Sequence, residues 1–176
     1  EVYDWASQEI EMLDDNVPGS EKIDIKQAVE NYNDAIYYLA LCNYELRNYD
    51  VVITLLKDID DKRARILYGS ALFDTANYDD EYEYAWQQFK FIDGDVEYAS
   101  APKAKYEEKI YTVAVLLLSQ LYRQGLGEKH TKSNLEKSVN LLNFVKSYLT
   151  NEGMLELVDE ELRHYQKKML GGYKYV

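Results

Sequence analysis

The sequence predicts an all-α protein, and three observations of composition and pattern support this. Only two prolines, Pro18 and Pro102, interrupt the 176 residues, and proline is the residue that most strongly breaks a helix interior. Strong helix formers fill most of the chain, and strict apolar alternation, the pattern of half-buried strands, is hard to find over five or more positions. With 47% hydrophobic residues, a chain of this length can bury one sizeable core.

The sequence of the N-terminal region predicts a helix followed by a linker. An amphipathic segment runs from Val2 to Leu13, and the linker after it contains Pro18 and Gly19, a pair that is typical of turns. The chain opens at Glu1 without a methionine, so we interpret residues 1–19 as the end of a preceding region. We expect residues 20–176 to form one helical-repeat domain.

A long helix is the next element that the sequence predicts. Asp24 is a suitable N-cap, with Gln27 three residues later, for a helix that runs to about Arg47. Apolar residues recur along one face of this helix at Ile25, Ala28, Tyr32, Ile36 and Leu39, until Asn43 breaks the stripe.

Three shorter helices follow, each bounded by turn residues. After the turn at 48–50, the apolar run 51–59 predicts a short helix, and Asp61 can cap the next helix, Lys62 to Thr75. A further helix from Glu81 to Ile92 is expected to end at Gly94, where glycine would take a left-handed conformation.

The sequence of the C-terminal part predicts three more helices. Ser100 and Pro102 open a strongly apolar helix that runs to Gln124, and Gly125 closes it. A capping box formed by Ser133 and Glu136 introduces the periodic segment Leu135 to Leu149. The last helix, Glu152 to Leu170, carries acidic residues early and basic residues late, which matches the helix dipole.

Two glycines near the end of the apolar helix raise the question of a phosphate-binding loop. Gly125 and Gly127 are followed by Lys129, but a helix precedes them, a third glycine is absent and the lysine is wrongly spaced for either nucleotide-binding motif. We therefore interpret the stretch as a turn between two helices.

The charge of the chain argues against a nucleic-acid partner, and the length of its apolar runs argues against a membrane span. The net charge is −12 and the isoelectric point is near 4.6, whereas nucleic-acid binding needs clustered lysine and arginine. The longest apolar run, Val113 to Leu118, is far shorter than the roughly 20 residues of a membrane helix. We expect a protein or peptide partner, neutral to basic, with apolar anchors, and we leave homo-oligomerisation open.

No residue pattern predicts catalysis, a metal site or a cofactor. The two histidines, His130 and His164, have no second ligand at metal-binding spacing, and the acidic stretch 93–98 lacks the spacing of a calcium loop. The single cysteine, Cys42, lies in an apolar helical pattern and is expected to be a small core residue. The chain is therefore predicted not to be an enzyme.

Two segments of the chain share one pattern. Each has a small residue in the middle of a helix, Ala40 or Gly69, followed by Asn-Tyr-Asp at 48–50 or 77–79. The small residue is expected to let two helices approach closely, and the tyrosine to pack back over the hairpin. The pattern resembles the tetratricopeptide repeat superfamily, in which a helical hairpin of about 34 residues recurs.

A third hairpin is similar to the Sel1-like branch of that superfamily. Its matching residues are Leu118, Ser119, Tyr122, Gly125 and Gly127, with serine in place of the first glycine. The small positions are 29 and then 50 residues apart, so the repeats are irregular. The resemblance implies tetratricopeptide-like hairpins stacked as a short right-handed solenoid, with the last helix as a C-terminal cap.

The resemblance also implies a function and a binding surface. It points to a non-catalytic scaffold or adaptor that binds a partner in a concave groove; the alternative is a helical regulatory or peptide-sensing domain of a larger regulator or enzyme. The low cysteine content and the lack of a leader favour a reducing, cytoplasmic compartment. Carried over from the superfamily, the groove residues would be Tyr37, Leu41, Tyr44, Ile66, Ser70, Phe73, Leu116, Gln120 and Arg123.

Overall fold

The all-α prediction is confirmed. A computed structural model describes residues 19–101, 103, 105–126 and 135–172, and within these ranges it contains helices and no strand. A short 3-10 helix, Lys90–Asp93, directly follows Phe89. The α-helices are α1 (Gly19–Glu45), α2 (Tyr49–Leu56), α3 (Lys62–Thr75), α4 (Tyr82–Phe89), α5 (Val96–Ser100), α6 (Lys105–Gln124), α7 (Leu135–Lys146) and α8 (Glu152–Gly172).

The chain divides into two compact units within α3, between Arg65 and Ile66. The predicted helix Val2 to Leu13 lies outside the described residues, as does the Ser133 half of the capping box. The division of the chain into a region 1–19 and a domain 20–176 stays a prediction.

In the first unit, α1 packs against α2 through a tight turn. Arg47 takes a left-handed conformation with φ 61°, and the amide of Asn48 donates to the carbonyl of Asn43 at 2.8 Å. This is the Schellman arrangement, which satisfies carbonyls at the end of a helix. The ring of Tyr49 then lies 5.4 Å from that of Tyr44, so the tyrosine of the first Asn-Tyr-Asp turn packs back as predicted.

The start of α3 agrees with the sequence, whereas the start of α1 does not. The carboxylate of Asp61 accepts the amides of Arg63 and Ala64 at 2.8 and 3.1 Å, as an N-cap does. Asp24 was predicted as the cap of α1, but α1 already begins at Gly19. Asp24 therefore lies inside the helix, and that prediction was wrong.

In the second unit, α6 is the central helix and packs against α4, α7 and α8. Its sequence carries apolar or small residues on nearly every side, so most of its surface is removed from water. The fully buried positions of α6 include Ala114, Val115, Leu118, Ser119 and Leu121.

A break at Ala101 separates α5 from α6; the sequence predicted only the second of these helices, opened by Ser100 and Pro102, and missed α5. Ala101, the residue before Pro102, is extended, with φ −63° and ψ 139°, because a following proline disfavours the helical conformation. The ammonium of Lys103 donates to the carbonyls of Tyr98, Ala99 and Ala101. The lysine thus satisfies main-chain acceptors that the break leaves without helical partners.

Two further expectations about turns were wrong. Gly94 has φ −126°, so the end of the 3-10 helix does not use the left-handed conformation. Tyr78 of the second Asn-Tyr-Asp turn is 70% exposed and does not pack over a hairpin. At the end of α6, by contrast, Gly125 is left-handed with φ 70°, as expected of the residue that closes this helix.

Gly69 of α3 lies against side chains of α4. A Cβ atom built on Gly69 would be 2.7 Å from Cε1 of Phe89 and 2.9 Å from Cβ of Gln88. Phe89 is fully buried, so its ring has little room to move. The absence of a side chain at this position therefore allows the two helices to pack, as the sequence predicted for a small residue there.

We predict that Gly69→Ala lowers the free energy of unfolding by about 1–2 kcal/mol, because the overpacking cost exceeds the gain in helix propensity. Gly94→Ala is the matched control, since nothing lies within 4 Å of its added Cβ. Urea denaturation of both variants checks this. If Gly69→Ala were as stable as Gly94→Ala, the close approach at Gly69 would not limit packing.

Candidate interaction surface

The nine groove residues predicted from the sequence differ in how much of their surface is available. Tyr37, Ile66 and Ser70 are buried, with 2% exposure or less. These three side chains belong to the packing of the protein rather than to a surface. The other six are half-buried: Leu41, Tyr44, Phe73, Leu116, Gln120 and Arg123.

Tyr37 is held in place by a charged neighbour from the start of α3. The guanidinium of Arg63 lies over the tyrosine ring, 5.0 Å from its centroid, and donates to the carboxylate of Asp34 at 2.6 Å. Burial by itself lowers the pKa of Arg63, but the hydrogen bonds and charges of Asp61 and Asp34 outweigh it and raise the pKa overall. Arg63 thus ties α3 to α1 while it covers Tyr37.

Arg123, the last of the predicted groove residues, is engaged by α8. Its Nε donates to the carboxylate of Glu161 at 3.0 Å, and its guanidinium lies 5.9 Å from the ring centroid of Tyr165. Glu161 is only 7% exposed. A carboxylate this well buried needs its partner, so Arg123 has a structural role whatever else it contacts.

Next to this ion pair, hydroxyl groups from three helices meet at one carbonyl. Tyr165 of α8 donates to the main-chain oxygen of Ser119 in α6 at 2.7 Å, and Ser138 of α7 donates to the same oxygen at 3.2 Å. The hydroxyls of Ser119 and Tyr165 are also hydrogen-bonded to each other at 3.0 Å. Burial raises the pKa of Tyr165, which keeps its hydroxyl a donor.

This hydroxyl cluster joins α6, α7 and α8. Ser119 contacts a tyrosine hydroxyl, and Ser138 donates to a main-chain carbonyl. The nearby carboxylate of Glu161 is paired with Arg123. The sequence predicted a small residue at position 119 but not its polar partners. These partners, Ser138 and Tyr165, are 19 and 46 residues further along the chain.

Only some of the residues considered for other chemistry lie within the described ranges. His164 is exposed on α8, and His130, Gly127 and Lys129 lie outside the described residues. No group of three potential metal ligands is found in the described part of the chain. Cys42 is exposed, so the prediction that it is a core residue was wrong. Among the helices that the structure describes, none is long and apolar enough to cross a membrane.

An exposed apolar face of α1 was missed as a surface. The helix buries Tyr37 and Ala40 on one side, while much of the apolar stripe noted in the sequence lies on the opposite side. Leu39 is 50% and Leu46 is 71% exposed. We call this side the open face of α1, and it consists of Ala28, Tyr32, Ala35, Leu39, Cys42 and Leu46.

The signal for the open face was present in the sequence. Helix α1 carries apolar residues on two sides, and a helix that packs on one neighbour needs only one of them. The repeat pattern instead predicts a groove and a helix crossing on the side that carries Tyr37 and Ala40, and the stripe through Leu39 alone predicts only an ordinary amphipathic helix.

Comparisons with protein-family models, with curated proteins and with solved structures found no match for this chain.

We predict that Tyr37→Ala destabilises the protein by about 3–5 kcal/mol, because it empties a buried aromatic site beneath Arg63. Tyr38→Ala is the matched control: Tyr38 is 44% exposed, and its loss should cost about 1 kcal/mol, mainly its edge contact with Tyr37. Chemical denaturation measures both. Equal losses would mean that Tyr37 is not a core residue.

We also predict that Tyr148 makes stability depend on alkaline pH. Burial raises the pKa of Tyr148 to about 12, whereas an unfolded tyrosine titrates near 10. Between about pH 10 and about pH 12 the unfolded chain therefore releases a proton that the folded chain keeps, so stability falls as pH rises through this window.

The Tyr148→Phe variant isolates this contribution. We expect its free energy of unfolding to fall less steeply than that of the wild type between about pH 10 and about pH 12, with parallel curves below pH 9. Urea denaturation at a series of pH values gives both curves. Curves that stay parallel throughout would show that Tyr148 titrates normally.

Proposed function

We propose that this chain is a non-catalytic protein–protein interaction module that binds a protein partner through the open face of α1. The observation that carries the proposal is the exposure of Leu39 and Leu46, flanked by Tyr32 at 40% and Tyr38 at 44% exposure. Surface leucines occur singly in most proteins, but a contiguous apolar strip along one helix is typical of an interaction site.

The chemistry of this face defines the partner. From residue 26 to residue 46, the charged residues of α1 lie away from the open face, which consists of aliphatic, aromatic and small residues. Interface cores are depleted of charge and enriched in aromatic residues. A partner would therefore present apolar anchors here; where it is a different protein, the net charge of −12 favours one with a neutral or basic exterior.

The module is further proposed to be a cytoplasmic scaffold or adaptor of the tetratricopeptide type, with hairpins stacked as a right-handed solenoid and α8 as a cap. The burial of the small residues Ala40, Gly69 and Ser119, at the positions where the repeat pattern places them, supports this reading. The exposed Tyr78 shows that the second hairpin departs from the first.

The test is affinity capture from extracts of the source cells, with the tagged wild type and two charge variants. Leu39→Glu places a carboxylate in the open face, and Leu157→Glu places one on a leucine of α8 that is similarly exposed, at 47%. We expect the wild type and Leu157→Glu to retain the same bound proteins and Leu39→Glu to lose them. Identical sets for all three proteins would contradict binding through this face.

A further inference from the structure

The residues of the open face follow the spacing of a coiled-coil seam. Successive members are separated by four, three, four, three and four residues, from Ala28 to Leu46. This spacing repeats every 3.5 residues, and it keeps one narrow line of side chains in contact with a second helix. A helix that only packs onto a globular core shows a wider stripe with a period of 3.6.

Large and small residues alternate along this seam. The large ones are Tyr32, Leu39 and Leu46, and the small ones are Ala28, Ala35 and Cys42. Close packing between two helices needs large side chains opposite small ones. The alternation therefore restricts how an identical helix can be arranged against this face.

An antiparallel second copy satisfies this requirement at every layer. About a twofold axis at the level of Tyr37, Leu39 faces Ala35 of the second copy and Leu46 faces Ala28 of the second copy. Tyr32 faces Cys42 of the second copy in the same arrangement. A parallel pair would instead place each residue against its own counterpart. Layers of two tyrosines or two leucines would then hold the two helices apart, and gaps would remain at the layers of two alanines.

The area of the open face fits a second copy, and its lack of charge limits the repulsion between two acidic chains. The chain carries a net charge of −12, so two copies repel each other, and an uncharged face is where they can meet without placing acidic groups in contact. The exposed side chains of two open faces would bury on the order of 1,000 Å² in total, which is near the lower limit for a specific interface.

We propose that the open face of α1 is the interface of an antiparallel homodimer. This inference rests on the proposed function, because it names the partner that the open face binds. An isologous interface of this kind needs one self-complementary patch, and the alternation of large and small residues about the level of Tyr37 supplies it.

The first experiment is sedimentation of the purified chain from about 1 to about 100 µM. We expect the wild type and Leu157→Glu to dimerise, and Leu39→Glu to show a dissociation constant raised at least about 30-fold with its helical circular dichroism unchanged. Raised salt should strengthen the wild-type dimer, because it screens the repulsion between two acidic chains.

The second experiment tests the orientation by oxidation of thiols. In the antiparallel pair Cys42 faces Tyr32 of the second copy, so the wild type should not form a disulfide-linked dimer. Tyr32→Cys should form one, and the added change Cys42→Ser should abolish it. Cross-linking of the wild type, or none with Tyr32→Cys in a protein that still sediments as a dimer, would overturn the antiparallel arrangement.

The outcomes separate this inference from the proposed function. A wild type that remains monomeric at every concentration overturns the homodimer; if Leu39→Glu then still loses partners from cell extracts, the interaction function stands with a different partner. A dimer that Leu39→Glu leaves intact places self-association on another surface and overturns the inference as well.

Discussion

Three helices of the second unit depend on one main-chain carbonyl, that of Ser119. It accepts hydroxyl hydrogen bonds from Ser138 of α7 and Tyr165 of α8, and both donors are fully buried. A buried hydroxyl without a partner is destabilising, so the rotations of α7 and α8 about α6 are fixed by the need to satisfy these groups. A small residue at position 119 leaves the space that this convergence requires.

A small residue also leaves space at Gly69, here for an apolar contact: because Gly69 has no side chain, the ring of Phe89 can lie against it. In the first unit, Ala40 is likewise fully buried. Small residues are thus buried in both units, and large neighbours such as Phe89 or Tyr165 fill the space beside those of the second unit. Helix α1 differs in one respect: among the described residues, its second apolar side, the open face, stays exposed.

The sequence predicted most elements because each rests on local chemistry. The cap at Asp61, the bounds Lys62 to Thr75 and the left-handed Gly125 follow from residues a few positions apart. The wrong predictions concern positions whose structure depends on residues far away in the sequence or on two competing local effects. Asp24 could cap a helix, but the helix formers before it extend α1 to Gly19, and the short-range pattern could not show that Tyr78 faces solvent.

The candidate surface was harder to predict for the same reason. Periodicity identifies the apolar sides of a helix, but not which side its neighbours cover. Tyr37 was assigned to a groove, yet Arg63, 26 residues later, covers its ring. Leu39 belongs to an equally apolar side and remains half exposed. Only the packing of α1 on its neighbours distinguishes the two, and that packing depends on residues beyond the helix itself.

In the proposed homodimer, the acidity of the chain would make the open face the favoured point of contact. With 32 acidic and 20 basic residues, most of the surface repels an identical molecule, and the repulsion acts over about a Debye length at physiological salt. A face without charge removes this penalty at one place, where apolar contacts then decide the affinity. A single carboxylate introduced at Leu39 restores the repulsion at that place, whereas the same group on Leu157 only adds to a surface that is already acidic.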